Sequence, residues 1–82
     1  MTTLRTRGHR VLTELLIELR EAKGLTQEQL AVLLKRNQRY VSRIENGEQI
    51  PDLLEIREWS LVCGVSPWAF TWRFESRMKR HP

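Results

Sequence analysis

The stretch TQEQLAVLLKRNQRYVSRIEN, at residues 26–46, decides the fold. It opens on Thr26 with a glutamine three residues later, which is the spacing of a capping box and marks the start of a helix. Apolar residues then recur at helical spacing, and Asn37 is a second residue of the type that begins helices. The stretch therefore predicts two short helices joined by a tight turn, at about residues 26–34 and 37–46.

The flanking sequence predicts three more helices. Apolar residues recur at helical spacing over about residues 10–23, from Asp52 onward, and over about residues 67–78. Gly or Pro separates these stretches, and no stretch shows the alternation of a strand. We predict an all-α fold of five helices with a central helix-turn-helix, occupying residues 10–78.

Length and composition exclude several classes of protein. The 82 residues, 40% hydrophobic and 29% charged, form one small globular domain, which favours a binding module over an enzyme with a deep pocket. The single cysteine, Cys63, cannot build a disulfide framework, and together with His9 and His81 it has no metal-ligand spacing. No apolar run is long enough to cross a membrane. We expect a cytoplasmic protein without enzyme activity, cofactor, metal or small-molecule ligand, and we expect Cys63 to be a core thiol.

The charge of the chain is positive and unevenly placed. It carries 14 Lys and Arg against 10 Asp and Glu, a net charge of +4. We interpret residues 1–9 as a basic N-terminal arm, either disordered or in contact with DNA, and residues 79–82 as a basic tail. A third basic cluster, at residues 35–43, contains no acid. Such clusters either bind a polyanion or are merely solvated, and charge alone leaves both open.

The second helix of the central pair has a polar, basic outer face. Four side chains on this face span about 140° of a helical wheel, with no acid among them. They are Gln38, Arg39, Ser42 and Arg43. A helix of this size fits the DNA major groove, where glutamine pairs with adenine and arginine with guanine. These side chains are the candidate base-reading residues.

Several motifs run through the centre of the chain: GLTQEQLA at residues 24–31, YVSRIENG at residues 40–47, and the later PDL and GVSP segments. In this combination the chain resembles the phage repressor/Cro-type (XRE-like) helix-turn-helix family of transcription regulators, from Leu19 to about Val65. The resemblance implies a five-helix, repressor-like domain that binds double-stranded DNA.

The resemblance also implies roles for single residues. Gln27 is similar to a family glutamine that binds phosphate and supports the first glutamine of the recognition helix, here Gln38. The outer face of that helix matches the base-reading positions of the family. Asn46 matches a family position that makes a backbone contact to phosphate. Arg20 and Glu45 match positions that form a structural ion pair beneath the motif.

The turn between the two central helices departs from the family. Lys35 and Arg36 stand where many members have glycine and a small apolar residue. They add positive charge beside the recognition helix, and we include both, with Tyr40, among the candidate phosphate-binding residues. A non-glycine residue with positive φ is costly, so either Lys35 is strained or the turn differs.

The last helix carries two apolar stripes, more than a small monomer is expected to bury. One stripe consists of Trp68 and Trp72. We take both, with Trp59 in the fourth helix, as a candidate dimer interface; packing of the Trp68 and Trp72 stripe in the core is the alternative.

These features predict sequence-specific binding of double-stranded DNA by a transcription regulator, a repressor or autoregulator acting as a homodimer on a palindromic operator. Three alternatives stay open: an antitoxin that also binds a toxin, a controller of a restriction–modification system, and a protein-interaction adaptor that does not bind DNA. A toxin and RNA polymerase are the candidate protein partners.

Overall fold

The computed structural model describes residues 6–80, which form five α-helices and no strand. The helices are α1 (Arg7–Ala22), α2 (Gln27–Leu34), α3 (Gln38–Glu45), α4 (Leu53–Val62) and α5 (Pro67–Arg80). α2 packs closely against α3, α1 packs against α3 and α5, and α4 packs against α2 and α5. The predicted all-α fold of five helices is confirmed.

Each helix begins at a side-chain cap. In every case an oxygen of the capping residue accepts a hydrogen bond of 2.8–3.1 Å from the backbone N–H three residues later. The caps are Thr6, Thr26, Asn37, Asp52 and Ser66. Gln29 and Glu55 return the bond to the backbone, so α2 and α4 have complete capping boxes.

Four helices, α1 to α4, end in the same turn. Two nested backbone hydrogen bonds close it, as in a Schellman motif. Each turn has one residue with positive φ; from α1 to α4 these residues are Gly24, Lys35, Gly47 and Gly64. Lys35 has a φ of 59°, so a lysine stands where the turn favours glycine, at a cost of about 1–2 kcal/mol. The sequence left open whether Lys35 is strained or the turn differs. The turn is the usual one, and Lys35 is strained in it.

The N-terminal boundary differs from the prediction. α1 begins at Arg7, because Thr6 caps it, so the arm predicted for residues 1–9 is wrong for its last three residues. Residues 1–5 lie outside the described part of the chain. His9, expected in the arm, is instead buried in α1. The sequence pattern missed this first turn because its apolar periodicity starts later.

The C-terminal boundary also differs. α5 continues two residues beyond its predicted end, to Arg80, so the tail predicted for residues 79–82 begins as helix; residues 81–82 are not described. The side chain of Arg7 donates a hydrogen bond from Nη2 to the backbone oxygen of Arg77 at 3.1 Å. This contact ties the start of α1 to the last turns of α5.

The core lies where the five helices meet, and its largest fully buried side chain is Trp59 of α4. Trp59 Nε1 donates a hydrogen bond to the backbone oxygen of Leu16 at 3.1 Å. The prediction that Trp59 belongs to a dimer interface is therefore wrong. Cys63 is buried in the same core, as predicted, and this burial raises the pKa of its thiol. The other buried apolar side chains are Val11, Leu15, Leu16, Leu19, Leu30, Ala31, Val41, Ile44 and Phe70.

Candidate nucleic-acid interface

α3 turns its apolar side to the core and its polar side to solvent. Val41 and Ile44 are fully buried in the cluster that also holds Leu30 of α2. All four predicted base-reading residues lie on the other side of the helix, three of them exposed and Ser42 half-buried. The exposed ones are Gln38, Arg39 and Arg43. The structure therefore brings these four side chains together on one surface.

A nearly buried ion pair joins α1 to α3 beneath this surface. Arg20 Nε and Nη2 donate to the two carboxylate oxygens of Glu45 at 2.7 and 3.1 Å. Arg20 Nη1 also donates to the backbone oxygen of Leu25 at 2.8 Å. The two charged side chains are 13% and 5% exposed, and the hydrogen bonds to Glu45 raise the pKa of Arg20. The structure thus joins the two residues that the resemblance paired.

The same carboxylate orients Gln27, and Gln27 orients Gln38. Gln27 Nε2 donates to Glu45 Oε1 at 2.9 Å, and Gln38 Nε2 donates to Gln27 Oε1 at 3.2 Å. A carboxylate only accepts hydrogen bonds, so Gln27 must turn its nitrogen to Glu45 and its oxygen to Gln38. Gln38 therefore gives one N–H to Gln27 and keeps Oε1 and its second N–H for another partner.

The turn between α2 and α3 is held by a contact with α4. The guanidinium carbon of Arg36 lies 4.3 Å from the centre of the Tyr40 ring, and Arg36 Nη1 lies 3.5 Å from Glu55 Oε2. Burial raises the pKa of Tyr40, and so do the charge and the hydrogen bond of Glu55. Two predicted phosphate-binding residues thus have partners within the protein. The sequence did not predict this contact of Glu55, because no local pattern signals a contact between distant segments.

The remaining predicted phosphate-binding residues border the same surface. Lys35 is exposed in the turn, and Asn46 is exposed at the end of α3, where its Nδ2 lies 3.4 Å from Ser42 Oγ. Glu45 is the one acid among residues 35–46, and its side chain is buried. The outer surface of α3 and of the preceding turn is therefore positively charged.

A polar, basic helix braced on a second helix is the arrangement that reads DNA in the major groove. A family model described as helix-turn-helix matches residues 16–67, more than half of the chain. The chain belongs to the XRE-like helix-turn-helix family. The matched residues include every contact of the interface described above. No curated protein sequence matches the chain significantly.

The described part of this helix-turn-helix protein contains neither a membrane-spanning helix nor a cluster of metal ligands. Between residues 6 and 80, no helix is long and apolar enough to cross a membrane. In the same range, no group of three or more His, Cys, Asp or Glu residues could hold a metal ion. His9 lies in α1 with both ring nitrogens buried and without a hydrogen-bond partner among the described residues. A side chain so enclosed is not part of the polar surface of α3.

A second surface of the helix-turn-helix protein is apolar. Trp68 and Trp72 of α5 are 85% and 76% exposed, so the alternative that they pack in the core is wrong. A shallow apolar groove of about 180 Å³ lies where α1, α4 and α5 meet. The residues that line it are Leu12, Leu53, Ile56, Phe70, Thr71 and Phe74. Exposed tryptophans and an apolar groove are features of protein-binding surfaces.

Proposed function

We propose that the protein binds double-stranded DNA sequence-specifically and regulates transcription in the cytoplasm, as a repressor or autoregulator. The observation that carries this proposal is the chain of hydrogen bonds that runs from the Arg20–Glu45 ion pair through Gln27 to Gln38. A side chain already held in one orientation loses little conformational freedom on binding. Base recognition of this kind needs no catalytic step, cofactor or metal.

The free atoms of Gln38 match adenine. In the major groove, adenine presents the acceptor N7 beside the donor N6–H₂. Gln38 keeps one N–H and its Oε1, which are the complementary donor and acceptor. Arg39 and Arg43 can each donate two bonds to guanine O6 and N7, with Ser42 between them on the same face. We infer that α3 reads a short sequence containing an adenine and at least one guanine.

In this proposal, phosphate contacts fix the position of α3 in the groove. The candidates surround the exposed face of the helix and carry amide, hydroxyl or positively charged groups. They are Gln27, Lys35, Arg36, Tyr40 and Asn46. Contacts of this kind carry no sequence information, so losing one of them should weaken binding to all DNA alike.

We further infer a homodimer on a palindromic operator. α3 has eight residues, which are too few to select a site alone, and a second copy one helical turn away, about 34 Å, doubles the sequence that is read. Trp68 and Trp72 are the candidate dimer contacts, because each tryptophan can bury about 150–250 Å². In a symmetric pair, the tryptophans of each protomer would meet the apolar groove of the other.

Selection of bound sequences from a random DNA pool at physiological salt tests the proposal. We expect an inverted repeat with half-sites about one turn apart. Arg39→Ala and Arg43→Ala should each relax selection at one base pair and cost about 1–3 kcal/mol there. Arg43 has no base-reading role if its loss weakens binding to unrelated DNA as much as to the operator. Recovery of no motif, with only weak salt-sensitive binding, would favour the protein-interaction adaptor.

The exposed tryptophans also fit a partner other than a second copy, such as a toxin or RNA polymerase. An antitoxin or a restriction–modification controller of this fold would select a DNA motif as well. A toxin gene beside the gene of this protein would indicate the first, and methyltransferase and endonuclease genes would indicate the second. Copurification with the product of the neighbouring gene would then decide.

A further inference from the structure

Arg36 differs from the other basic side chains of the DNA-facing segment. Its Nη1 lies 3.5 Å from the Glu55 carboxylate, and its guanidinium stacks on Tyr40. The other basic residues of the segment, Lys35, Arg39 and Arg43, are exposed and make no ion pair with any residue the structure describes. One of the four positive charges near α3 is therefore already partnered in the free protein.

The two members of this pair differ in freedom of movement. Glu55 Oε1 accepts a hydrogen bond from the backbone N–H of Asp52 at 2.8 Å, so the carboxylate cannot move away without opening the capping box of α4. The Glu55 side chain is 17% exposed, whereas that of Arg36 is 42% exposed and long. The acid is held in place, and the base is able to leave it.

We propose that Glu55 competes with DNA phosphate for Arg36 and so limits how strongly the α3 surface binds any DNA. This inference rests on the proposed DNA-binding function. A guanidinium binds carboxylate and phosphate oxygens in the same forked geometry, so one can replace the other. Arg36 leaves Glu55 when it reaches a phosphate. The free energy of the lost ion pair is then subtracted from the free energy of DNA binding.

Substitution of Glu55 by Gln tests this competition. Glutamine preserves the capping box, because Gln29 occupies the same position in the box of α2. Fluorescence anisotropy with a duplex of unrelated sequence at low salt measures the affinity. Glu55→Gln should bind about two- to fivefold more tightly than wild type, as expected for release of a partly exposed ion pair. The gain should shrink as salt is added.

Two further variants separate this effect from a general change of charge. Glu58→Gln removes the same charge from an exposed position three residues further along α4, and it should change affinity much less. Arg36→Ala should bind less tightly than wild type, and adding Glu55→Gln to it should give no gain. Thermal unfolding verifies that each variant is folded.

Three results would overturn the proposal while the proposed function stands: unchanged affinity of folded Glu55→Gln, an equal gain from Glu58→Gln, or a gain that persists without Arg36. Wild-type protein that binds no DNA even at low salt is a different result. It would refute the proposed function itself, and this inference with it.

Discussion

Gln38 donates a hydrogen bond from Nε2 to Gln27 Oε1 at 3.2 Å, and this contact determines which atoms of Gln38 face outward. The direction of this bond is set by Glu45, the next residue in the network. The buried Glu45 carboxylate can only accept a hydrogen bond, so Gln27 must donate its N–H to Glu45 and turn its oxygen to Gln38. The first side chain of α3 is therefore oriented from inside the protein. The Arg20 guanidinium compensates the negative charge of the Glu45 carboxylate.

Replacement of Gln38 by Ala should remove the preference for adenine at one position of the operator. We expect a loss of about 1–3 kcal/mol in discrimination at that base pair, with the other positions unchanged. Competition binding with singly substituted operator duplexes measures this. Lys35→Ala is the comparison, since it removes an exposed charge that has no contact with Gln38 and should weaken binding to operator and unrelated DNA together. A Gln38→Ala protein that still prefers adenine there would show that another residue reads the base.

Replacement of Arg20 by Ala should destabilise the fold severely. It leaves the Glu45 carboxylate, whose side chain is 5% exposed, without its charged partner, and breaking such a pair typically costs about 3–5 kcal/mol. Arg77→Ala is the matched control: its partner Glu18 has a side chain that is 53% exposed, so we expect a cost below about 1 kcal/mol. Urea unfolding of both variants checks the contrast, and equal losses would contradict it.

Local signals in the sequence predicted most of the helix boundaries. Thr26 and Asp52 begin capping boxes, and Gly24 and Gly64 follow the ends of helices, because caps and left-handed turns are specified by residues close in the chain. Thr6 acts in the same way, but the basic residues around it indicate an arm rather than a helix start. The resemblance to a known family, rather than periodicity, supplied the pairing of distant residues in the site.

Contacts between distant segments could not be predicted. α4 is apolar on most of its faces, so periodicity did not show that Trp59 packs inward while Leu54 is 71% exposed. The contact of Glu55 with Arg36 likewise depends on how α4 lies against the turn, which no pattern within either segment encodes. Tertiary packing, not local propensity, decides both.

Replacement of Lys35 by Gly should stabilise the protein. Its left-handed conformation, with a φ of 59°, costs an ordinary residue about 1–2 kcal/mol, and glycine avoids this at an entropic cost of about 0.5–1 kcal/mol. We therefore expect a gain of about 0.5–1 kcal/mol in the free energy of unfolding. Lys35→Ala should give no such gain, because alanine meets the same strain. Equal stabilisation by both substitutions would mean that lysine charge, not backbone conformation, is responsible.

Replacement of Trp68 and Trp72 by Ala should convert the proposed homodimer to monomer. The two side chains are 85% and 76% exposed, so their removal leaves the core intact, while an interface that buries both would lose its largest apolar contacts. Sedimentation equilibrium at tens of micromolar measures the change. Val32→Ala, at a similarly exposed position on α2, is the control and should remain dimeric. Wild-type protein that sediments as a monomer would contradict the dimer, and a double variant that stays dimeric would place the interface elsewhere.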